Sequence, residues 1–529
     1  MYLRSCFLTF VCSLMLGLDG FAQQTAGLQI EASTSALLSS DEIRPLWLVA
    51  NQWGRQAQFG QSGATAYGKA AWQGSPLAHL SLQAGVAGLY HNGEKGYLHE
   101  AYVAGRYRFI DFSAGKMAFL PNTINDSLTT GMYLGSSNAM PIPRLWLGIF
   151  DYTPLPFTNG WVEVRGAASH GWLDDDRTER GHQSVLLHEK FAYIRLGKTK
   201  VQPYVGLVHS ALYGGEGIPA DFWATFFGSG SEEVGGGEAT NAAGAHMGLW
   251  HTGVTFSWGE WSNHVYFQVP FADGSGMYVN WGRNKDFITG WVLQRPGKQL
   301  FSSLAIELIR TDWQSGPGTP DPYDPVAQEG IWPGTIPNVQ DFVAQRLPDM
   351  VDQAANWSED DLYRYLRDRW NGGHFFGGRD DNMNNGMYYA GWTWQGMSFG
   401  TPMYHTADMA ARFAPQWRLN NSVYFINTRV RAINLAASGW LMPQLRYRAK
   451  FTASRNYGAY GEEFLNRYSW VRTDGYYFEE AKNQFYNLVE LEWMPARFAH
   501  WHLTTSLGYD AGDLYNAFGG VVTLAWRLN

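Results

Sequence analysis

The chain has 529 residues, a formal net charge of −8, and equal shares of aromatic and charged residues, 16% each. Charged residues reach about 25% in ordinary soluble domains, so this chain is poor in charge, and its 24 Trp and 29 Tyr are typical of a membrane boundary. The negative balance and the scattered cations exclude a protein that binds the nucleic-acid backbone through a basic stripe.

The N-terminal segment, residues 1–22, predicts a cleavable secretory signal peptide. Arg4 provides the positive start, residues 7–18 form an apolar centre, and residues 20–22 give a small-x-small cleavage site. The mature protein is therefore expected to be an exported single domain over residues 23–529.

Both cysteines, Cys6 and Cys12, lie inside the signal segment, so the mature chain is expected to contain none. This excludes disulfides, thiolate catalysis and cysteine metal sites. No apolar run of about 18 or more residues follows the signal, so the sequence predicts no spanning helix. If the protein crosses a membrane, it does so as a barrel.

Two segments mix aromatic side chains with Asp, Asn, Ser and Arg in regions expected to be loops or rims. Sugar recognition uses this mixture, because an apolar sugar face stacks on a ring while carboxylates, amides and guanidinium groups bind hydroxyls. The alternative is an aromatic girdle with a polar rim. The glycan-binding candidates are Asp273, Ser275, Tyr278 and Trp281 in the first segment and Arg379, Asp380, Asp381, Asn384, Asn385 and Tyr388 in the second.

One segment, at about residues 316–377, interrupts the strand pattern. A proline-rich stretch begins at Pro317, and residues 338–370 then show helical spacing. Ser358 and Asp361 form a capping box at the start of one helix. A helix this short cannot cross a membrane, so we expect this insert to cap or plug one mouth of the barrel.

The C-terminal third alternates apolar and polar side chains over stretches of about ten residues. Short turns and long polar connections follow one another, as in bacterial outer-membrane barrels, which places the C-terminus in the periplasm. At about 28 residues per strand, the mature chain predicts about 16 to 18 strands. The fold class is therefore all-β, a transmembrane antiparallel up-and-down barrel, with a large soluble sandwich or propeller as the alternative. One face of the last strand carries Val522, Leu524, Trp526 and Leu528.

The same register predicts a ladder of opposite charges inside the wall. Arg446, Arg448 and Lys450 should face inward on one strand, and Glu490 and Glu492 inward on another. Such a ladder neutralises buried charge in a wide barrel, or it acts as a selectivity filter for a charged solute.

Motifs of catalysis are missing from the sequence. Residues 197–199 resemble the end of a phosphate loop, but Ala192 stands where the first glycine belongs. Neither a Gly-x-Ser-x-Gly elbow nor a His-Glu-x-x-His pair occurs. His500 and His502 have no obvious third metal ligand nearby. We therefore predict no catalytic residues, no metal and no cofactor.

Several blocks together resemble the capsule-assembly Wzi family. Residues 266–276 are similar to the family pattern Tyr-x-Gln-x-Pro-Phe-x-Asp-x-Ser-Gly. Residues 137–143, 187–195, 311–316 and 384–392 resemble further blocks in the same order along the chain.

The resemblance implies an outer-membrane barrel of about 18 strands with a small helical element, which acts as a lectin tethering capsular polysaccharide without catalysis. One departure is visible at residues 244–248, where the chain has Gly-Ala-His-Met-Gly instead of the family's Gly-Asn-His-Leu-Gly. The change removes an amide able to bind a hydroxyl.

These observations predict a non-enzymatic, monomeric outer-membrane lectin that binds and anchors capsular or exopolysaccharide at the cell surface, surrounded by outer-membrane lipid. The alternative is an outer-membrane diffusion channel for oligosaccharides, in which the lumen charges line the path. A membrane-embedded hydrolase would need a Ser, His and Asp constellation, for which the sequence offers no motif.

Overall fold

The computed structural model describes the barrel wall and many of its connections. The signal segment lies outside the described residues. The structure describes residues 27–92, 95–122, 124–177, 181–234, 242–272, 276–277, 284–314, 323–324, 329–330, 336, 338–370, 381–419, 423–463 and 473–528.

The segments with alternating side chains form eighteen wall strands, because alternation places one set of side chains on each face of a strand. The strands are β1 (Gly27–Ser39), β2 (Ser62–Leu77), β3 (Leu80–His91), β4 (Lys95–Tyr107), β5 (Ile110–Lys116), β6 (Pro143–Pro154), β7 (Val162–Leu173), β8 (Val185–Leu196), β9 (Val201–Tyr213), β10 (Ala245–Trp258), β11 (Trp261–Phe271), β12 (Phe287–Gln294), β13 (Ser303–Arg310), β14 (Val430–Met442), β15 (Leu445–Asn456), β16 (Lys482–Trp493), β17 (Trp501–Gly512) and β18 (Ala517–Leu528).

Each strand pairs antiparallel with its neighbours along the chain, and β1 also pairs with β18, so the sheet closes on itself. The closing pair runs from Ile30 opposite Leu528 to Ser39 opposite Gly519. A closed ring leaves no strand edge with unpaired backbone groups. The predicted antiparallel up-and-down barrel is confirmed, with 18 strands.

The two ends of the barrel differ in the length of their connections. One end, the short-turn end, has tight turns such as residues 78–79 and 443–444, and β1 begins and β18 ends there. The other end, the long-loop end, carries long connections such as residues 117–142 and 311–429. Short and long connections thus alternate as the sequence predicted, except that residues 92–94 and 513–516 are short connections at the long-loop end.

The two faces of the wall differ in polarity as the alternation requires. On β18, Val522 and Leu524 face outward and are 49% and 42% exposed, whereas Val521 and Ala525 face inward and are 6% and 3% exposed. An apolar outer face with a filled interior suits a barrel surrounded by lipid.

Short helices and hairpins lie in the connections. No helix among the described residues is both long enough and apolar enough to cross a membrane. The helices are α1 (Leu46–Val49), α2 (Phe222–Phe227), α3 (Val339–Arg346), α4 (Glu359–Trp370), α5 (Ala407–Phe413) and α6 (Tyr460–Glu463), with 3-10 turns at Pro348–Met350 and Ala496–Phe498. The hairpins pair Tyr323–Asp324 with Glu329–Gly330, Thr393–Trp394 with Met397–Ser398, and His405–Thr406 with Phe425–Asn427.

Helices α3 and α4 belong to the predicted insert between β13 and β14. Ser358 Oγ accepts a hydrogen bond from the Asp361 amide at 3.2 Å, and Asp361 Oδ2 accepts one from the Ser358 amide at 3.1 Å, which is the expected capping box. The two helices share a small apolar core of their own that includes Val343, Leu362 and Leu366. Within this connection, the residues that enter the barrel lie after the helical pair.

Candidate functional site

Three connections from the long-loop end fold back into the barrel, and we call them the inner segments. They comprise residues 44–60, 117–142 and 381–428, of which 123 and 420–422 lie outside the described residues. Wall side chains alone cannot fill a ring of this size, because 16- to 18-stranded porins of about this width enclose a water channel. Large buried side chains of the inner segments include Trp47, Tyr133, Trp392 and Trp394.

The second inner segment, residues 117–142, crosses the lumen. Near its start, the Ala118 amide donates to Glu100 Oε2 of β4 at 3.2 Å. Further along, the Thr130 amide donates to Glu307 Oε2 of β13 at 2.6 Å. Strands β4 and β13 are nine positions apart in a ring of 18, so these two contacts lie on opposite walls.

Glu307 is the main anchor of this segment on β13. Its side chain is almost fully buried and accepts hydrogen bonds from the Thr130 amide and, at 3.0 Å, from Asn434 Nδ2 of β14. The Tyr266 hydroxyl of β11 donates to its other oxygen. A buried carboxylate is tolerated when donors surround it in this way.

Lys450 of β15 provides a second anchor, and it differs from the role that the sequence suggested. The register places Lys450 opposite Leu488, so no glutamate of β16 faces it. Its Nζ instead donates to the Thr129 carbonyl of the second inner segment at 2.8 Å and lies 3.4 Å from the centroid of the Trp47 ring. This ammonium therefore joins two inner segments to the wall.

The first inner segment, residues 44–60, packs against the last strands of the chain. The Leu46 amide at the start of α1 donates to Asp510 Oδ2 of β17 at 2.7 Å. Gly508 of β17 lies under this helix, and a Cβ atom there would come within 2.8 Å of Leu48. Glycine at this position lets α1 approach the wall closely.

The third inner segment, residues 381–428, is held by a chain of buried hydrogen bonds. Asn427 Nδ2 lies 2.8 Å from His405 Nδ1, and His405 Nε2 lies 3.1 Å from the Tyr486 hydroxyl of β16. Burial lowers the pKa of His405 to about 4, because the interior disfavours the charged imidazolium.

The second predicted glycan-binding segment begins this inner segment, and its described candidates are used inside the protein. Asp381 accepts hydrogen bonds from the Thr428 hydroxyl at 3.1 Å and the Gly461 amide at 3.2 Å. Burial raises the pKa of the Asp381 carboxyl in spite of these donors. Asn384 bonds the backbone of Phe425 through both of its amide atoms.

The other two described candidates of that segment also have structural contacts. Asn385 Oδ1 accepts from the Met387 amide at 2.9 Å, which closes a tight turn. Tyr388 is buried, and its hydroxyl donates to the Gly214 carbonyl at 3.2 Å. The remaining candidates lie outside the described residues. They are Asp273, Ser275, Tyr278, Trp281, Arg379 and Asp380.

Four of the charged side chains predicted for the lumen lie towards the short-turn end, and they are Arg446, Arg448, Glu490 and Glu492. Arg448 lies opposite Glu490 in register and is 2.9 Å from it, and Arg446 lies opposite Glu492 at 3.9 Å. Arg527 of β18 joins them, with Nη1 3.2 Å from Glu492 Oε1. A cavity of about 290 Å³ is lined by Arg446, Glu490, Glu492 and Arg527, and we call it the charged vestibule.

A cavity of about 540 Å³ opens at the long-loop end, and we call it the mouth groove. Its lining combines rings with charges of both signs. Asp381 lies close to it, because the Asp381 carboxylate accepts a hydrogen bond from the Gly461 amide of α6, the helix that ends at Glu463 of the groove. Arg429 spans its base, with Nη2 2.6 Å from Glu463 Oε2. The lining residues are Arg429, Arg455, Tyr457, Glu463, Phe478, Glu479, Glu480 and Ala481.

The sequence did not single out the mouth groove as a site. The segment between β15 and β16 is polar and contains Glu463, Glu479 and Glu480. The groove is completed by Arg455 in β15, Tyr457 just after β15 and Arg429 just before β14. In the part of the chain that the structure describes, no three His, Cys, Asp or Glu side chains converge as metal ligands would.

Comparison with known proteins finds similarity in structure. No protein-family model matches the chain, and no curated protein matches it in sequence. The structure is similar to Wzi of Escherichia coli, described as an outer membrane protein involved in group 1 capsule assembly and as a carbohydrate-binding β-barrel. The TM-score is 0.53 at 11% identity, covering 93% of this chain and 83% of Wzi.

Two barrels of Pseudomonas aeruginosa are less similar. OccK5 (OpdH) has a TM-score of 0.45 at 9% identity, covering 96% of this chain and 99% of its own. OccK2 (OpdF), solved in complex with glucuronate, has a TM-score of 0.45 at 10% identity, covering 96% and 97%. At these identities the likeness to Wzi concerns the fold, and it confirms the barrel that the sequence resemblance implied.

Replacing Glu307 with Leu should release the second inner segment. The Thr130 amide and Asn434 amide group lose their acceptor in the interior, at a cost of about 3–5 kcal/mol for a broken buried charged network. Glu307→Gln keeps one acceptor oxygen and should cost less. Limited proteolysis of the purified protein, with heat-modifiable gel mobility as the test of an intact wall, measures the difference. Equal protection of residues 124–142 in wild type and Glu307→Leu would contradict the anchoring role.

Lowering the pH should loosen the third inner segment around His405. Between pH 6.5 and about 4 the unfolded segment binds a proton that the folded segment excludes, so stability falls as the pH decreases. From about pH 7 to about pH 5 the loss is about 2 kcal/mol, or about a twentyfold lower hydrogen-exchange protection factor at Phe425–Asn427. His405→Gln can keep both hydrogen bonds without titrating, and a pH dependence equal to that of wild type would rule His405 out.

Proposed function

We propose that this protein is a non-enzymatic β-barrel of the bacterial outer membrane that binds a surface polysaccharide at its long-loop mouth and so retains it on the cell. The observation that carries the proposal is the mouth groove, a cavity lined by rings and charges that lies above a lumen occupied by the chain's own inner segments. A barrel built in this way presents a binding surface at one end.

The outer face of the wall supports the location. Side chains such as Leu147, Ile194, Leu507 and Val522 point outward and are exposed on four separate strands. Exposing these apolar side chains to water costs free energy, whereas contact with lipid does not. The closed ring also leaves no strand edge with unpaired backbone groups in the lipid. The long connections at one end support an orientation in which the long-loop end lies outside the cell.

The mouth groove has the size and chemistry of a sugar site. Its volume of about 540 Å³ falls in the range of about 300–1,000 Å³ typical of ligand pockets. Tyr457 offers a ring for stacking, while Arg455, Glu479 and Glu480 offer donors and acceptors for hydroxyl groups. Both glutamates are exposed, so they are accessible from outside.

The two segments that the sequence marked for glycan binding take different parts in this proposal. The connection from β11 to β12, which contains Tyr278 and Trp281, starts and ends at the long-loop end and can add further sugar contacts at the mouth. In the other segment, Asp381 and Asn384 hold the backbone next to the mouth groove and therefore position the site without contacting sugar.

The similarity to Wzi gives the proposal a precedent for carbohydrate binding on this fold, since Wzi is described as a carbohydrate-binding barrel. The fold alone does not determine function, because barrels of this kind serve several purposes. The proposal therefore rests on the mouth groove of this chain, and the similarity to Wzi adds support.

A diffusion channel for oligosaccharides is the second candidate. The charged vestibule favours it, because Arg446, Glu490, Glu492 and Arg527 present both signs of charge in an open cavity at the short-turn end. For such a channel, the purified protein should conduct ions in planar bilayers. For a polysaccharide anchor whose inner segments stay in place, conductance should be far below that of an open porin of the same strand number.

Removing the acids of the mouth groove should weaken polysaccharide retention. In a strain that lacks the gene, complementation with Glu479→Gln plus Glu480→Gln should leave more polysaccharide in the medium than complementation with wild type. A loss of glycan binding of about tenfold or more is expected for the purified variant, because one charge-assisted hydrogen bond contributes about 1.5–3 kcal/mol and about 1.4 kcal/mol is tenfold in affinity.

The matched control is Asp474→Asn, an exposed acid of the same connection that does not line the groove. Trp281→Ala tests the other segment in the same assays. If the glutamate variant and the Asp474 control retain polysaccharide equally well, the mouth groove is not the binding site.

A further inference from the structure

Three arginines stand in one row on the outer face of the wall at the long-loop end. The register places Arg310 of β13 directly opposite Arg431 of β14, and Arg431 directly opposite Arg455 of β15. Strand alternation puts them on the face that also carries Leu308 and Phe451, which are 45% and 39% exposed. We call these three residues the arginine row.

Like charges directly opposite each other destabilise a sheet, so the row needs a compensating anion. Asp312 supplies part of it within the protein. Its Oδ1 lies 3.0 Å from Arg310 Nε, and its Oδ2 accepts from Arg431 Nε at 2.9 Å. One carboxylate thus serves two guanidinium groups, and the Arg431 side chain still remains 52% exposed.

The third arginine has an aromatic neighbour in place of a carboxylate. The Tyr457 ring centroid lies 5.7 Å from Arg455 Cζ and 5.6 Å from Arg431 Cζ, so the ring stands by both guanidinium groups. Glu479 and Glu480 share the mouth groove with Arg455, but within the described residues neither of them forms an ion pair with it.

The position of the row along the wall indicates its partner. Leu308 is the next outward residue below Arg310 on β13, and Leu435 and Phe451 continue the apolar face below Arg431 and Arg455. In a membrane the row therefore lies where the acyl chains end and the headgroups begin. Guanidinium groups bind phosphate through paired hydrogen bonds, so headgroup phosphates match this row in charge and in place.

We propose that the arginine row is a binding site for the phosphate groups of the glycolipid in the outer leaflet. This proposal rests on the membrane location given under the proposed function. Arg455 also lines the mouth groove, but Arg310 and Arg431 do not, so the test below changes only these two arginines. The row faces outward from the wall, so it contacts lipid around the barrel and fixes the height and rotation of the barrel in the leaflet.

The test compares two lipid probes on the full-length purified protein in detergent. Wild type should bind phosphorylated lipid A about tenfold or more tightly than the same lipid A after enzymatic dephosphorylation. Arg310→Gln with Arg431→Gln should remove this preference, whereas Arg310→Lys with Arg431→Lys should keep part of it because the charge remains.

The matched control removes the same charge at the other end of the barrel. Arg108→Gln with Arg497→Gln changes two cations in connections of the short-turn end and should leave the preference unchanged. Heat-modifiable mobility identifies any variant that has lost the barrel. Equal binding of the two lipids by wild type, or an unchanged preference in the Arg310 and Arg431 double glutamine variant, would overturn the proposal.

Polysaccharide binding is measured on the same samples. A double glutamine variant that binds polysaccharide normally but has lost its lipid preference supports the arginine row as a separate site. Loss of polysaccharide binding in the mouth-groove variants, or its absence in wild type, bears on the proposed function and leaves the lipid result intact. If lipid-free phosphorylated polysaccharide displaces lipid A from the row, the phosphate source is the polysaccharide, and the lipid assignment is wrong.

Discussion

The width of the ring is the constraint from which the rest of the structure follows. Eighteen strands satisfy every backbone partner along the wall, but they enclose more space than inward side chains can fill. The chain occupies that space with its own connections, and each connection brings backbone amides and carbonyls into the interior. Inward-facing wall residues such as Glu307, Lys450 and Asp510 are there to pair with those groups.

This arrangement divides the polar side chains of the barrel into two populations. Those in the interior, such as Glu307, bind the chain's own backbone and are unavailable to a ligand. Those at the rims, such as Glu479 and Arg431, are exposed and can form hydrogen bonds with a ligand. Function in such a barrel therefore belongs at the two ends of the wall, and the interior holds the ends in shape.

Much of the wall could be predicted from the sequence, because strand alternation is local. The faces of β18, the inward faces of Arg448 and Glu490 and the capping box at Ser358 all follow from spacing within a few residues. The inner segments could not be predicted in the same way. They have no periodic pattern, and the partner of Leu46 is Asp510, which is 464 residues away. For the same reason composition could not distinguish Tyr388, buried against the Gly214 carbonyl, from a ring at the mouth.

The contacts of the inner segments also have a consequence for assembly. Residues near the start of the chain, at positions 46 and 129, are bonded to β17 and β15, strands that are made almost last. Their partners are absent until these strands have been added, so the inner segments complete their packing only as the wall closes. We therefore expect the joining of β1 to β18 to be the final event. Until then, apolar residues such as Trp47 lack their wall partners and remain exposed, which favours aggregation of the unfinished barrel.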